Sequence, residues 1–196
     1  RVAREVEQQS DCSLEKAKEV FRELIQSDVH DEKFAGIYFL NRFKRYFDEG
    51  IVDLFKEEFS AHCDCWAICD SSMIKVIGPF LAKKKNEDLL RKTIDDWSES
   101  DNLWIRRASM VILLKVTMIR KKVDEEHVLW LVERMLNHDH HYIQKGIGWL
   151  LKTCSRYEPE FVFNHLNERK TNLPRFILRY ASEKLPKEKR NSLLEK

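Results

Sequence analysis

The sequence predicts an all-α fold, built as a right-handed stack of helix pairs. Three observations lead there. The 196 residues include only 5 Gly and 4 Pro, too few breakers for a many-stranded β architecture. Apolar residues recur at three- and four-residue spacing along most of the chain, the mark of helices with one buried face. Five aromatic residues, Phe34, Trp66, Trp104, Tyr142 and Phe176, follow one another at intervals of 32, 38, 38 and 34 residues. That is the period of a helical-repeat solenoid, in which a helix pair buries its apolar face only by stacking on its neighbours.

The elements follow in order. Residues 1–12 are polar and read as frayed, or as the tail of an earlier helix. Ser13 caps a helix over 14–26, with Ala17, Val20, Phe21, Leu24 and Ile25 on its apolar face. Asp31 opens a very aromatic helix running to Phe47, broken by Asp48-Glu49-Gly50. A third helix spans Ile51 to Phe59. A fourth carries Trp66 and Asp70 and ends near Gly78-Pro79 or just beyond. Four more are expected at 86–98, 102–121, 124–136 and 140–155, with Asn86, Asp101, Asp124 and Asp139 as N-caps. Helices at 158–169 and 173–184 end before Pro186, and 187–196 is a charged tail with at most a short helix.

The length fits a single domain over residues 1–196. A 43% hydrophobic share supplies a core, and a 35% charged share covers a surface. The net charge of +2 implies no partner by itself, so any basic surface must come from uneven placement. The 5 Cys are an odd number, and neither a secretory signal nor a membrane-spanning apolar run is present. These features point to a reducing, cytoplasmic setting with free thiols. Cys12 and Cys154 read as ordinary small residues. The chain starts at Arg1 rather than Met, which points to a missing N-terminal piece.

Charge is sorted by helix. The expected helix at 86–99 is acidic, with Glu87, Asp88, Asp95, Asp96 and Glu99, whereas its partner carries Arg106, Arg107, Lys115, Arg120, Lys121 and Lys122. The pair that follows repeats the pattern. Three residues beyond the leading aromatic of three successive repeats stand Arg107, Lys145 and Arg179. If second helices line the concave side, this makes a basic row in the groove and an acidic back, the footprint of a polyanion binder.

The most informative stretch is His62-Cys63-Asp64-Cys65-Trp66-Ala67-Ile68-Cys69-Asp70. Trp66 and Asp70 are four apart and share a helix face. They read either as an aromatic and a carboxylate that hold a ligand and act on it, or as packing plus a surface charge. In the third and fourth helix pairs the position of Asp70 holds a small residue, Ala108 or Gly146. A carboxylate at a tight packing position is costly if buried alone, so Asp70 needs a partner or a cleft. Zinc on His62, Cys63, Cys65 and Cys69 is not expected, because that spacing splays the ligands. His138-Asp139-His140-His141 reads as a helix-start turn. Walker, dinucleotide and nucleophile-elbow motifs are absent.

Three segments in order, Cys65-Trp66-Ala67-Ile68-Cys69-Asp70, Ser100-Asp101-Asn102-Leu103-Trp104-Ile105-Arg106-Arg107-Ala108 and Tyr142-Ile143-Gln144-Lys145-Gly146-Ile147-Gly148-Trp149, resemble the DNA alkylation repair glycosylases of the AlkD type. The resemblance covers roughly Ser13 to Leu185. It implies HEAT-like repeats whose concave face binds duplex DNA. It also implies excision of purines made cationic by alkylation at N3 or N7, without insertion of the lesion into a deep pocket. It maps the catalytic carboxylate to Asp70, lesion-side aromatics to Trp66 and Trp149, and a DNA-contacting arginine to Arg107. Arg106, Lys145 and Arg179 join the DNA-binding set. Cys65 stands where relatives often carry a second Trp.

The expected protein is therefore a monomeric, monofunctional glycosylase of base excision repair, cytoplasmic and nucleoid-associated, with duplex DNA as partner. No metal, cofactor or membrane is expected. Lyase chemistry is not expected either, since no lysine is placed as a Schiff-base nucleophile beside Asp70. The rival reading is a non-enzymatic helical-repeat module that binds DNA structures or an acidic protein segment.

Overall fold

The chain is described by a computed structural model for residues 13–195; segment 1–12, Cys12 included, lies outside the described residues. Among the described residues there is helix and no strand. The helices are α1 (Leu14–Ile25), α2 (His30–Asn41), α3 (Gly50–His62), α4 (Trp66–Ser72), α5 (Gly78–Leu81), α6 (Glu87–Ser98), α7 (Leu103–Arg120), α8 (Glu125–Leu136), α9 (His141–Cys154), α10 (Pro159–Glu168), α11 (Arg175–Ala181) and α12 (Lys187–Leu194). No helix among them is long and apolar enough to cross a membrane.

Several caps follow from local chemistry. The Ser13 hydroxyl accepts from the Lys16 amide, and the Asp124 carboxylate accepts from the His127 amide, filling donors that a helix start leaves open. Two expected caps shift by one residue. Asn102, not Asp101, caps α7: its Oδ1 accepts from the amides of Trp104 and Ile105, while its Nδ2 donates to the Ser60 carbonyl. An amide can do both, and a carboxylate can only accept. His140, not Asp139, caps α9, because the Asp139 carboxylate is engaged by the Gln144 side chain at 2.9 Å. Asn86 precedes α6 but does not cap it; its amide donates to the Phe80 carbonyl at 2.8 Å.

The second helix also ends earlier than the aromatic run implies. It stops at Asn41, and a 3₁₀ turn at Lys44–Tyr46 follows, with Phe43 and Phe47 buried on either side of it. The fourth helix instead runs on past Gly78-Pro79. Pro79 has no amide to give and crowds the preceding turn. The backbone meets this with a π turn over Met73–Ile77, after which α5 continues. Gly78 stays a glycine because a Cβ there would come within 2.7 Å of Lys115 Cγ and of the Met73 carbonyl.

Packing follows the aromatic period. The second helices touch in succession: α2 against α4, α4 against α7, α7 against α9, and α9 against α11. The first helices also stack on one another, α1 on α3, α6 on α8 and α10 on α12. The leading aromatics meet between layers, with Trp104 and Tyr142 rings 5.2 Å apart. At the N-terminal end, Phe21, Phe55 and Phe59 form a fully buried cluster.

Candidate nucleic-acid interface

The turn before α4 is tied down from below. Lys33 on α2 is buried, and its ammonium donates to the Asp64 carboxylate and the His62 carbonyl, each at 2.7 Å. This fixes the entry to α4, so Trp66 starts the helix half exposed, at 51%. Asp70 lies one turn further on the same face and is only 7% exposed.

The partner that a buried carboxylate requires is Arg107 on α7. Its Nε donates to Asp70 Oδ1 and its Nη2 to Oδ2, both at 2.8 Å, and its Nη1 donates to the Tyr142 carbonyl at 2.6 Å. This is a bidentate fork with its third edge also used. Burial alone would lower the Arg107 pKa. The hydrogen bonds and charge of Asp70 outweigh that, and the net shift is upward, so the guanidinium stays charged. Arg107 is buried, with 4% exposure, and gives three of its five N–H donors to Asp70 and Tyr142.

Above this pair lies a cavity of about 760 Å³. Trp66 and Asp70 come from α4, Arg107 from α7, Lys145 and Trp149 from α9, and Arg179 from α11. Six of the seven residues singled out from the sequence thus meet in one place. Arg106 does not. A residue apart on a helix is about 100° away, and Arg106 lines a different pocket with Trp130, Arg134 and Asp101. Lys145 lines the same pocket as Asp70.

The cavity also holds residues that the sequence reading did not select: Tyr142, Phe176, Tyr180, Glu183 and Arg190. Phe176 and Tyr180 are four apart on α11, with rings 6.0 Å apart, a spacing that marks a shared face. Gly148 gives Tyr180 its place, since a Cβ there would lie 2.7 Å from the Tyr180 ring. Gly146, at the repeat position of Asp70, lets Met110 pack within 2.5 Å of where a Cβ would stand. Arg190, on α12, carries no pattern that marks it in sequence.

Among the described residues His62, Cys63, Cys65 and Cys69 do not bring three donor atoms together, although the Cys63 and Cys69 thiols are neighbours. The His62 ring faces Glu58 at 4.0 Å, and the Cys69 thiol donates to the Trp104 carbonyl at 3.3 Å. Cys69 is fully buried, and burial pushes its pKa up, as burial pushes that of Cys154 up to about 12. Both are inert core thiols. Among the described residues, the one group of three donor side chains with metal-like spacing is His30, Asp64 and Cys65. There the Lys33 ammonium pairs with Asp64 Oδ2 at 2.7 Å, while Oδ1 faces His30 at 3.4 Å.

The match of a family model, that of the DNA alkylation repair enzymes, extends over residues 1–185. The chain is also similar in structure to a protein described as a "predicted DNA alkylation repair enzyme" from Enterococcus faecalis. The TM-score is 0.78 at 21% identity, covering 90% of this chain and 78% of that one. No curated protein matches the chain.

Proposed function

The chain belongs to the DNA alkylation repair enzyme family, and on that premise we propose that it is a monofunctional DNA glycosylase that releases purines alkylated at N3 or N7 from duplex DNA. The family assigns it an enzyme's role in alkylation repair. The observation that carries the finer reading is the meeting of Trp66, Asp70 and Trp149 in one cavity rimmed by cations.

The chemistry needs little more. Alkylation makes the base cationic and weakens its glycosidic bond. When the bond breaks, its electron pair leaves with the base, which becomes neutral, and positive charge passes to the sugar. Water then adds at C1′ and releases a proton. A carboxylate beside C1′ stabilises the cationic sugar and orients the water. Arg107 holds the Asp70 carboxylate in one orientation, and each oxygen keeps a further lone pair for the pocket. The indole faces of Trp66 and Trp149 attract a cationic base. The stack of helix pairs is then a right-handed solenoid of HEAT-like repeats, with this cavity part of its concave, basic side, and the protein acts as a monomer without metal or cofactor.

Single-turnover release of 7-methylguanine and 3-methyladenine from alkylated duplex DNA tests the proposal; release at the uncatalysed rate overturns it. Borohydride trapping tests the monofunctional part. Lys145 stands in the pocket, and a covalent adduct through it would show lyase chemistry.

One observation favours the rival, a non-enzymatic DNA-binding module: both Asp70 oxygens are bound by the same guanidinium. Tight binding of alkylated DNA with no base release would establish that reading.

A further inference from the structure

The charges around the cavity do not cancel, and the remainder has one sign. Asp70 is neutralised by Arg107 at 2.8 Å. Glu183, the other carboxylate of the lining, is neutralised by an ion pair with Lys152. Three cations remain, Lys145 on α9, Arg179 on α11 and Arg190 on α12. None has a carboxylate partner among the described residues; Lys145 has only the face of Tyr142, at 5.9 Å. Along the first helices, cations meet acids of the neighbouring pair: Lys56 with Asp96 at 2.5 Å, Arg91 with Asp124 at 2.6 Å, Arg169 with Glu133 at 2.7 Å.

Like charges gathered from three separate helices repel, and both carboxylates of the pocket are already paired with other cations. We infer that Arg190 on α12 completes, with the DNA-binding candidates Lys145 and Arg179, a cradle for the phosphodiester backbone of one DNA strand. This rests on the reading of the cavity as a DNA site. Arg190 lies beyond the 185 residues that the family model matches, yet its helix is anchored to the fold. Leu193 is buried, Arg175 donates to the Leu194 carbonyl, and the Lys189 ammonium stacks on Phe163 at 4.8 Å. The guanidinium thus reaches the pocket from a docked element, and its place does not depend on a damaged base. Phosphate contacts position a duplex without reading its sequence.

The test is binding of an unmodified duplex of about two helical turns, followed by fluorescence anisotropy across a series of KCl concentrations. Arg190→Ala should weaken binding on the order of tenfold for every sequence tried and reduce the salt slope by about 0.9, one phosphate contact's worth. Arg190→Lys keeps the charge and should restore most of the slope. Lys92→Ala, an exposed cation on α6 outside the pocket, should change neither. An unchanged slope in Arg190→Ala with a thermal melt like wild type overturns the cradle. Because the duplex carries no lesion, the result is separable from the glycosylase reading. A reduced slope in a protein that releases no base supports the cradle and defeats the catalyst. Base release with an unchanged slope does the reverse.

Discussion

Two aromatic pockets open on either side of the start of α7, and adjacent arginines feed them. Arg107 enters the cavity of Trp66, Asp70, Tyr142 and Trp149, whereas Arg106 enters the pocket of Trp130, Arg134 and Asp101. The ingredients are alike: an exposed indole, arginines and carboxylates. In the second pocket the charges are matched. Arg134 lies on the Trp130 ring at 5.1 Å and pairs with Glu99, Glu133 pairs with Arg169, and Arg106 has Asp101 at 3.9 Å. In the first, matching the buried pair leaves three cations over. If the first pocket holds a polyanion, what sets it apart is not its residue types but the cations left after pairing.

The largest expected difference between the two pockets is structural. Removing Arg107 strands the Asp70 carboxylate, which is almost fully buried, and takes one donor from the Tyr142 carbonyl. Breaking a buried pair from one side costs roughly 3–5 kcal/mol. Urea unfolding of Arg107→Ala should show that loss; a midpoint close to wild type would mean that Asp70 is not held as described.

Next comes chemistry. Asp70→Asn keeps the size and one acceptor but removes the charge. If Asp70 stabilises a cationic sugar, single-turnover release of 7-methylguanine should fall by about 10²–10³, the effect of losing one preorganised electrostatic contact. Affinity for undamaged DNA should hold or rise, because Arg107 then adds its charge to the pocket. Equal release by the two proteins would remove Asp70 from the mechanism.

How much of this was legible from the chain depends on what kind of signal each part leaves. The helices and their pairing were, because apolar periodicity and the aromatic spacing are one-dimensional records of burial. Asp70 stood out because a carboxylate occupied a place where Ala108 and Gly146 sit in other repeats. Its partner did not. Arg107 and Arg106 are neighbours in sequence, and only the rotation of α7 decides which is buried against α4. The caps slipped by one residue for a similar reason: Asn102 and Asp101 are both good cap types, and the Ser60 carbonyl that favours the amide lies 42 residues away. Arg190 was hidden because a charged tail has no periodicity from which to read a docked helix.

A third prediction separates the two indoles. Trp66 is 51% exposed and lies at the rim of the cavity, so Trp66→Ala should leave stability nearly unchanged. It should lower affinity for alkylated duplex by about 1–3 kcal/mol, the range for an aromatic that stacks on a base. Trp149→Ala should harm capture and turnover as well. The counterpart is Trp130, 38% exposed and covered on one face by Arg134. Trp130→Ala should not alter binding, as measured by anisotropy with alkylated and plain duplexes.

The smallest effect is expected from Arg106→Ala, and its smallness is informative. From sequence alone, Arg106 belongs with Lys145 and Arg179 as a DNA contact. In the structure it points to the pocket of Trp130, where its nearest carboxylate, Asp101, is fully open to water at 3.9 Å. The ion pair itself contributes about 0–1 kcal/mol, so any fall in the melting midpoint reports the packing of the Arg106 side chain, which is 15% exposed. Phosphate held in the Asp70 cavity is out of reach of a side chain on the other flank of α7. The salt slope for plain duplex should therefore match that of wild type, while Arg179→Ala reduces it by about one contact. A slope reduced equally by Arg106→Ala would mean that the duplex crosses both pockets. The contrast between a matched and an unmatched set of charges would then no longer explain where DNA binds.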